Sequence, residues 1–262
     1  MLTWRFITLS IKSAMEYRTD FFLMIAVGAI WQVTVAVFAT VLITRFPGLG
    51  GWESGAVLLI VAVRMAGHLL AAALFMGTRQ VAGLTMEGRI DAFLLRPMPV
   101  YRQVMLNSFH VPVLGDVVVT GLMLATAVRL LTLDWTAWRI GYLVVAVLGT
   151  MLLEAAVQTF LGSFALRHPT AKLWQEWTED LMATFGNYPL HILPSLARTV
   201  FLYVLPIGLC GYLPVAFLTG NTARLPVPVW VAAASPAISL VLFLASLGWW
   251  SIQLRRYESV GG

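Results

Sequence analysis

Charge and cysteine are both scarce in this chain. Only 11% of its 262 residues are charged and Cys210 is its single cysteine, whereas charged residues make up about 25% of an ordinary soluble domain. One cysteine excludes an internal disulfide framework. Apolar residues are abundant instead, since 60% of the chain is hydrophobic and the mean hydropathy is +0.85. The composition therefore predicts an integral membrane protein.

Motifs for catalysis and for nucleotide binding are also missing from the sequence. It has no G-x-x-x-x-G-K-[ST] phosphate loop, so ATP is not bound and hydrolysed by that route. Neither H-E-x-x-H nor G-x-S-x-G occurs, and His68, His110, His168 and His191 are too scattered to predict a metal site. The net charge of +5 does not indicate a nucleic-acid partner, because the charges lie at the ends of apolar runs. We expect no catalytic residue, metal or cofactor in this chain.

The long apolar runs predict transmembrane helices. They reach about 20 residues without alternation, which is the length that a helix needs to cross a bilayer and about twice that of a spanning strand. In hydrocarbon the backbone must satisfy its own hydrogen bonds, which helices do. The fold class is therefore all-α, with six spans at 22–44, 56–76, 109–131, 140–166, 198–218 and 229–254.

The distribution of Lys and Arg predicts the orientation of these spans. With a cytosolic N-terminus, only Arg45, Arg129, Arg139 and Arg224 lie outside, Arg64 lies within a span, and every other Lys and Arg is inside. Cytosolic loops carry an excess of Lys and Arg. Both termini are therefore predicted to face the cytosol.

The fifth span is interrupted by Pro206, Gly208, Gly211 and Pro214. It is either a kinked helix or a shorter helix that ends near Gly208, followed by a re-entrant turn and a half-helix at 212–219 that returns to the outer surface. Broken backbone at membrane depth is tolerated only where protein or a water-filled cavity covers it. In both alternatives, this region is a candidate outer gate.

Residues 77–106 form the only long polar, basic stretch in the first half of the chain, and we interpret them as a docking surface. One stripe of a short helix carries Met86, Ile90, Phe93 and Leu94. Pro97 and Pro99 then end that helix. The stripe either docks in a partner's groove or lies on lipid headgroups or against the protein's own spans.

Two further segments are amphipathic. Residues 1–20 carry Trp4, Ile7, Ile11, Ala14 and Met15 on one face, and 171–185 carry Leu173, Trp174, Trp177, Leu181 and Phe185 opposite Gln175, Glu176, Glu179 and Asp180. Such helices lie in the membrane interface, where tryptophan is enriched. Both segments are predicted to be cytosolic, and the second alternatively contributes to the partner surface.

Four ionisable residues fall inside predicted spans. His68, Asp116 and Glu154 are predicted to lie at similar depths, Arg64 lies one helical turn further out, and Gln158 follows Glu154 by one helical turn. Each such group costs roughly 2.5 to 3.5 kcal/mol in the bilayer centre, so it needs a partner or a function. The set forms either an interhelical salt bridge that fixes packing or the polar lining of a substrate path or gate. A proton relay would need similar residues and is a third alternative.

Two stretches carry a family resemblance. The loop after the second span reads EGRIDAFLLRPMPVYRQVM, and the region of the fifth span reads NYPLHILPSLARTVFLYVLPIGLCGYLPVAFLTG. Together with the six-span pattern they resemble the membrane subunit of bacterial ABC-2-type ABC transporters, in particular the small six-helix permeases. Departures are Ile90 and Phe93, where Leu and Tyr are expected, and Leu213, where an aromatic residue commonly precedes the proline.

The resemblance implies specific partners and roles. Two permease subunits pair with two cytosolic ATPase subunits, which bind ATP and Mg²⁺, and the loop after the second span is the coupling helix. The implied coupling residues are Glu87, Gly88, Arg89, Ile90, Asp91, Phe93, Leu94, Leu95, Arg96 and Pro97. The implied fifth-span signature is Tyr188, Pro189, Pro206, Pro214 and Gly220, in an outer region of re-entrant helices.

The predicted function is that of a permease subunit in an ATP-driven exporter or flippase of an amphipathic or lipid-like substrate, in the bacterial inner membrane. Its second permease is another copy of this chain or a related polypeptide. The alternative is an ion-coupled secondary transporter or channel, in which the intramembrane charges bind the coupling ion and no ATPase takes part.

Overall fold

Helices form every regular element in the part of the chain that the computed structural model describes, which comprises residues 17–46, 48, 51–107, 111–168 and 170–259. This confirms the predicted all-α class. The α-helices are α1 (Arg18–Arg45), α2 (Ser54–Phe75), α3 (Val81–Met86), α4 (Arg89–Leu94), α5 (Val100–Leu106), α6 (Val113–Leu130), α7 (Ala137–Phe164), α8 (Ala171–Phe185), α9 (Ser195–Thr199), α10 (Tyr212–Thr219), α11 (Val229–Ala233) and α12 (Ser235–Arg255). The predicted helix at 1–20 lies almost entirely outside these residues.

Five helices among the described residues, α1, α2, α6, α7 and α12, are long and apolar enough to cross a membrane. They coincide with five of the six predicted spans. The predicted span at 198–218 does not correspond to such a helix. There α9 continues as a π-helix at Val200–Val204, the backbone is extended at Leu205, and a 3-10 turn at Ile207–Cys210 precedes α10. The backbone is therefore broken, not kinked.

Helix α2 lies at the centre of the bundle. It packs against α6 and α7, while α1 packs against α6 and α12 packs along α7. Nearly every residue of α2 from Gly55 to Gly67 is buried, whereas α1 and α12 bury only a few positions each. A helix that is apolar all round and buried belongs to the core. The exposed apolar faces of α1 and α12 suit contact with lipid.

The helix pair α1 and α6 approaches closely at two glycines. A Cβ on Gly115 of α6 would lie 2.1 Å from the Ile25 carbonyl oxygen, and a Cβ on Gly28 of α1 would lie 2.3 Å from the Pro112 carbonyl oxygen. Small residues let membrane helices pack backbone to backbone, where dispersion contacts replace the hydrophobic effect. These two positions therefore hold α1 against the core.

The two ends of the bundle differ in construction. At one end, called the loop end below, α3, α4 and α5 form a small apolar cluster with residues from the close of α7 and α12, including Leu166 and Trp250. At the opposite end, called the far end, Trp52 is buried and stacks on the rings of His191 and Tyr212, at 5.8 and 5.6 Å. Both ends are fixed by packed aromatic side chains.

The close approach of α1 and α6 predicts that two glycine-to-alanine substitutions on α6 have opposite effects on the free energy of unfolding. Gly115→Ala should destabilise the protein by about 1 to 3 kcal/mol, because the added methyl overpacks the α1 interface. Gly121→Ala on the same helix meets no atom within 4 Å and should be neutral or stabilising, since alanine favours helix by about 1 kcal/mol over glycine. Thermal unfolding of the detergent-solubilised protein measures both, and equal effects would contradict the contact.

Candidate functional site

The segment at 77–106 folds back onto the protein's own spans. Gly88 adopts φ +66°, a left-handed conformation that favours glycine, and it separates α3 from α4, so the predicted stripe is not one continuous helix face. Ile90 is 0% exposed and Phe93 is also buried within the loop-end cluster, whereas Met86 and Leu94 are exposed. The stripe is thus divided: its two central side chains face the spans, and only its ends face outward.

Polar contacts hold α4 and the turn that follows it. The Gln103 side-chain amide donates to the carbonyls of Phe93 (2.8 Å) and Met98 (2.7 Å), and Arg89 donates to the Asn107 side chain at 2.6 Å. The guanidinium of Arg96 lies 5.6 Å from the Phe93 ring centroid, within cation–π range. The turn after α4 is therefore held by side chains of α5, none of which was among the predicted coupling residues.

The end of α12 and the residues after it support the same segment from behind. Trp250 is buried against Tyr101, with ring centroids 5.4 Å apart. Burial raises the pKa of Tyr101 to about 12, partly offset by its hydrogen bond with Thr159, so its hydroxyl stays protonated. The Ser259 hydroxyl donates to the Asp91 carboxylate at 2.8 Å. Helix α4 is thereby connected to α7, to α12 and to the end of the chain.

Tyr257 completes this support. It packs against the loop-end cluster, and its pKa is raised by burial first and then by the adjacent Asp91 carboxylate. Asp91, which the resemblance assigned to coupling, is therefore an anchor for the chain end and is only partly exposed. Sequence reasoning missed Tyr257 and Ser259, because nothing in the eight residues after the last predicted span indicates which part of the protein they contact.

The outward surface of this loop combines apolar and basic groups. Leu95 is 88% exposed, and Glu87 is exposed with only a 3.8 Å contact to Arg89. Between residues 86 and 99, the exposed residues are Met86, Glu87, Arg89, Ala92, Leu94, Leu95, Arg96, Pro97 and Pro99. We call this set the loop-end face. It is small, rigidly mounted and chemically mixed, as a protein-binding surface requires.

The intramembrane charges divide into two groups. Arg64 and Glu154 are 3% and 4% exposed and lie 4.0 Å apart, and His68 Nδ1 lies 2.7 Å from the second Glu154 oxygen. Asp116 is buried on α6, and its Oδ1 has no hydrogen-bond partner in the described part of the chain. The predicted layer exists, but its central unit is the triad Arg64, His68 and Glu154.

Little space adjoins this triad. The cavity beside Glu154 has a volume of about 10 Å³, close to the minimum for a single water molecule. Glu154 and Arg64 join α7 to α2 at the centre of the bundle. These distances fit the first of the two predicted alternatives, an interhelical salt bridge between α2 and α7.

Gln158 takes part in a different network from the one predicted. The Gln175 side-chain amide donates to the Gln158 side-chain oxygen (3.2 Å) and to the carbonyl of Thr78 (3.1 Å). One turn later Glu179 pairs with Arg79 at 2.6 Å. Gln175 and Glu179 of α8 thus pack against α7 and the turn after α2, whereas Glu176 and Asp180 are exposed.

These contacts place 171–185 along the bundle, whereas the sequence predicted a helix in the membrane interface. Helix α8 starts beside the end of α7, Gly186 lies against the Arg64 side chain midway along α2, and the His191 ring stacks on Trp52 at the far end. Residues 171–191 therefore run from the loop end to the far end. A hydropathy window cannot detect such a segment, because protein and not lipid covers its polar side.

The broken region that follows is a hairpin with both ends at the far end. Leu205 and Pro206 reach the depth of Leu153 and line an apolar cavity of about 470 Å³ between α7, α8 and α12. The chain then rises through α10, whose Phe217 packs on Tyr142 near the start of α7. Helix α10 matches the predicted half-helix, but the segment before it descends from the far end instead of crossing from the loop end.

Close packing and backbone geometry explain why glycine and proline occupy the predicted gate positions in this hairpin. A Cβ on Gly211 would lie 2.8 Å from the Ile60 carbonyl oxygen, and one on Gly208 would lie 2.7 Å from a Leu202 methyl. The Thr150 hydroxyl donates to the carbonyl of Cys210 at 2.6 Å, which satisfies backbone that the break leaves unpaired. Pro206 marks the tip, and Pro214 lies in the first turn of α10, where its missing N–H costs no hydrogen bond.

The buried ion pair predicts non-additive destabilisation. Glu154→Leu should cost about 3 to 5 kcal/mol, because it leaves Arg64 buried without its carboxylate partner, and Arg64→Leu should cost less, because His68 still contacts Glu154 at 2.7 Å. The double variant should lose less than the sum, by more than about 1 kcal/mol. Unfolding curves in detergent measure the cycle. Lys172→Gln and Glu176→Gln remove an exposed pair and should show coupling below about 1 kcal/mol; additivity in both cycles would contradict the assignment.

The contacts of the chain end predict local loosening of α4. Tyr257→Phe combined with Ser259→Ala should speed amide hydrogen exchange in Arg89–Leu94 about fivefold, the effect of losing about 1 kcal/mol of local stability. Glu258→Ala changes an exposed residue between them and serves as the control. Unchanged exchange in the double variant would show that the chain end does not hold α4.

Comparison with known proteins agrees with the resemblance. Residues 29–261 match the family described as ABC-2 family transporter protein. No curated protein and no solved structure shows significant similarity to the chain. The match extends from α1 to the end of the chain, so it takes in the loop-end face, the buried triad and the hairpin alike. The chain therefore belongs to the ABC-2 family of transporter proteins.

Proposed function

We propose that this chain is the permease subunit of an ATP-driven ABC-2 exporter or flippase for an amphipathic or lipid-like substrate. Two cytosolic ATPase subunits supply ATP hydrolysis and bind the nucleotide and Mg²⁺. The observation that supports this most directly is the loop-end face, an exposed mixed surface on short helices that are packed and hydrogen bonded to the spans. A face built in this way receives force from a partner and passes it to the bundle.

In this proposal the loop end is cytosolic and the membrane is the bacterial inner membrane. The excess of Lys and Arg at the loop end supports that orientation. Residues 171–191 make the fifth crossing, so the chain crosses six times and both termini are cytosolic. The sixth crossing is α12.

Coupling runs through packed side chains in this proposal. A push on the loop-end face reaches Ile90 and Phe93, which rest on the end of α7 and on Trp250 of α12. Helices α7 and α12 pack along each other, and the tip of the hairpin lies in the cavity between them and α8. Movement of α12 relative to α7 therefore changes the support of Pro206. We assign the hairpin to the outer gate on this basis.

A second permease subunit, either another copy or a related chain, completes the transporter. The triad Arg64, His68 and Glu154 is assigned to packing within each subunit. An ion-coupled mechanism without an ATPase would need that triad to bind and release an ion, and the cavity of about 10 Å³ beside it gives no support to such exchange.

ATPase association tests the proposal. Leu94→Ala combined with Leu95→Ala should reduce the co-purified ATPase at least tenfold, because both exposed leucines lie on the loop-end face. Leu196→Ala, an equally exposed leucine at the far end, should leave it unchanged. The permease itself should stay monodisperse with the same melting temperature. Full retention of the ATPase in the double variant would refute docking at this face.

Ile90→Ala should behave differently from that pair. It removes a fully buried side chain from the loop-end cluster, so it should lower the melting temperature by an amount equivalent to about 2 to 5 kcal/mol. Because Ile90 does not reach the outer surface, a loss of stability in this variant would show that Ile90 supports the loop and does not contact the ATPase directly. An unchanged melting temperature with loss of the ATPase would instead place Ile90 in the docking contact.

A further inference from the structure

An apolar recess opens on the side of the bundle. It is the cavity of about 470 Å³ between α7, α8 and α12, and its walls are almost entirely aliphatic and aromatic. Val204 and Phe160 in its wall are 77% and 42% exposed, so the recess opens to the surroundings of the protein and is not an internal void. The proposed function uses only the contact of this space with the hairpin tip and assigns no ligand to it.

A second recess continues the first toward the loop end. It has a volume of about 300 Å³, and Leu161 borders both recesses. Its other walls are Phe164, His168, Thr170, Ala171 and Trp174. We call the two recesses together the lateral groove. Its apolar wall on α7 extends from Leu153 to Phe164, which is about 16 Å at 1.5 Å per residue. This length matches the hydrocarbon of one leaflet, which is half of a core about 30 Å thick.

One polar group in the groove has no partner within the protein. The Thr178 and Ser246 hydroxyls donate to carbonyls of their own helices, at 2.6 and 2.7 Å. The Trp249 indole nitrogen is buried and has no acceptor among the described residues. Its ring contacts Phe160 and Phe164, at 5.9 and 5.8 Å between centroids, near the loop-end limit of the apolar wall. Because a buried indole N–H usually has a partner, we expect an acceptor from outside the chain at this level.

Basic side chains flank the loop-end mouth of the groove. Arg167 follows α7, and Arg256 follows Trp249 by seven residues, so it lies two helical turns nearer the loop end on the same side of α12. Both arginines are exposed, and neither forms an ion pair with a described residue. Lys172 at the start of α8 adds a third cation, which pairs with Glu176. Basic pockets between membrane helices on the cytosolic side bind anionic lipid head groups.

We propose that the lateral groove binds one anionic phospholipid of the inner leaflet. An acyl chain fills the apolar recess as far as Leu205 and Pro206 at the hairpin tip. An ester carbonyl of the lipid accepts from the Trp249 N–H, and the phosphate lies between Arg167 and Arg256. Acyl chains are the solvent at this depth, so the walls need no other occupant. The proposal concerns a resident lipid that supports the hairpin, and it takes from the proposed function only the cytosolic position of the loop end.

Lipid titration of the purified full-length protein in detergent, read by native mass spectrometry, tests the head group. The probes are phosphatidylglycerol and phosphatidylcholine with identical chains. Phosphatidylglycerol should bind about tenfold more tightly, and Arg167→Gln combined with Arg256→Gln should abolish this preference, because both cations contact the anionic head group. Arg18→Gln combined with Arg102→Gln removes two exposed charges from α1 and α5 and should leave the preference intact. A preference that survives the first double variant would overturn the proposal.

Two substitutions on α12 test the recess for the acyl chain. Ala245 lines the recess, so Ala245→Phe places a ring where the chain is expected and should abolish binding of both lipids at concentrations that saturate the original protein. Leu244→Phe changes the neighbouring exposed residue outside the recess and should leave binding unchanged. Trp249→Phe keeps an aromatic ring but removes the donor, and should weaken phosphatidylglycerol about fivefold, the effect of one hydrogen bond. Melting temperatures show that each variant is folded, and full binding by a folded Ala245→Phe variant would refute the assignment.

Other occupants of the groove give different results. If the original protein binds neither lipid, another group, such as residues 1–16 or a second copy of the chain, covers the groove and the proposal fails. Binding is measured without ATP. Selective lipid binding in a preparation from which the ATPase never co-purifies would therefore support the groove while the ATP-driven function fails. Co-purification of the ATPase without selective lipid binding would support the proposed function while the groove fails.

Discussion

The structure depends on one constraint, which is that polar groups inside the membrane must find their partners within the protein. Gln175 shows how this constraint shapes the fold. Its amide contacts Gln158 on α7 and the carbonyl of Thr78 after α2, so three separate parts of the chain are held together at one point. With this polar face covered, an otherwise hydrophilic helix runs through the bundle with its tryptophans outward. The buried pair of Arg64 and Glu154 applies the same rule nearer the centre.

The same constraint explains why the loop end and the hairpin are mechanically linked. The hairpin exposes backbone groups at membrane depth, and Thr150 of α7 satisfies one of them at Cys210. Helix α7 continues to the loop end, where Thr159 contacts Tyr101 and the last turn supports α4. One rigid helix therefore touches both the hairpin and the loop. A change at either site has a short physical route to the other through packed side chains.

The sequence allowed the membrane class, five spans and the half-helix α10 to be predicted, because apolar runs and paired prolines and glycines are local signals. It did not reveal the course of α8, since the pattern that identifies an amphipathic helix does not say whether water or protein covers the polar side. The stripe of Ile90 and Phe93 was ambiguous for the same reason. The hydrogen bond from Ser259 to Asp91 joins residues 168 positions apart, and no rule based on sequence spacing predicts a contact at that separation.

Partners distinguish the buried charges of this fold from the exposed ones. Glu154 is buried between Arg64 and His68, and these contacts join α7 to α2. Asp180 of α8 is exposed and forms no ion pair among the described residues. A buried charge with partners is costly to break and contributes specificity of packing.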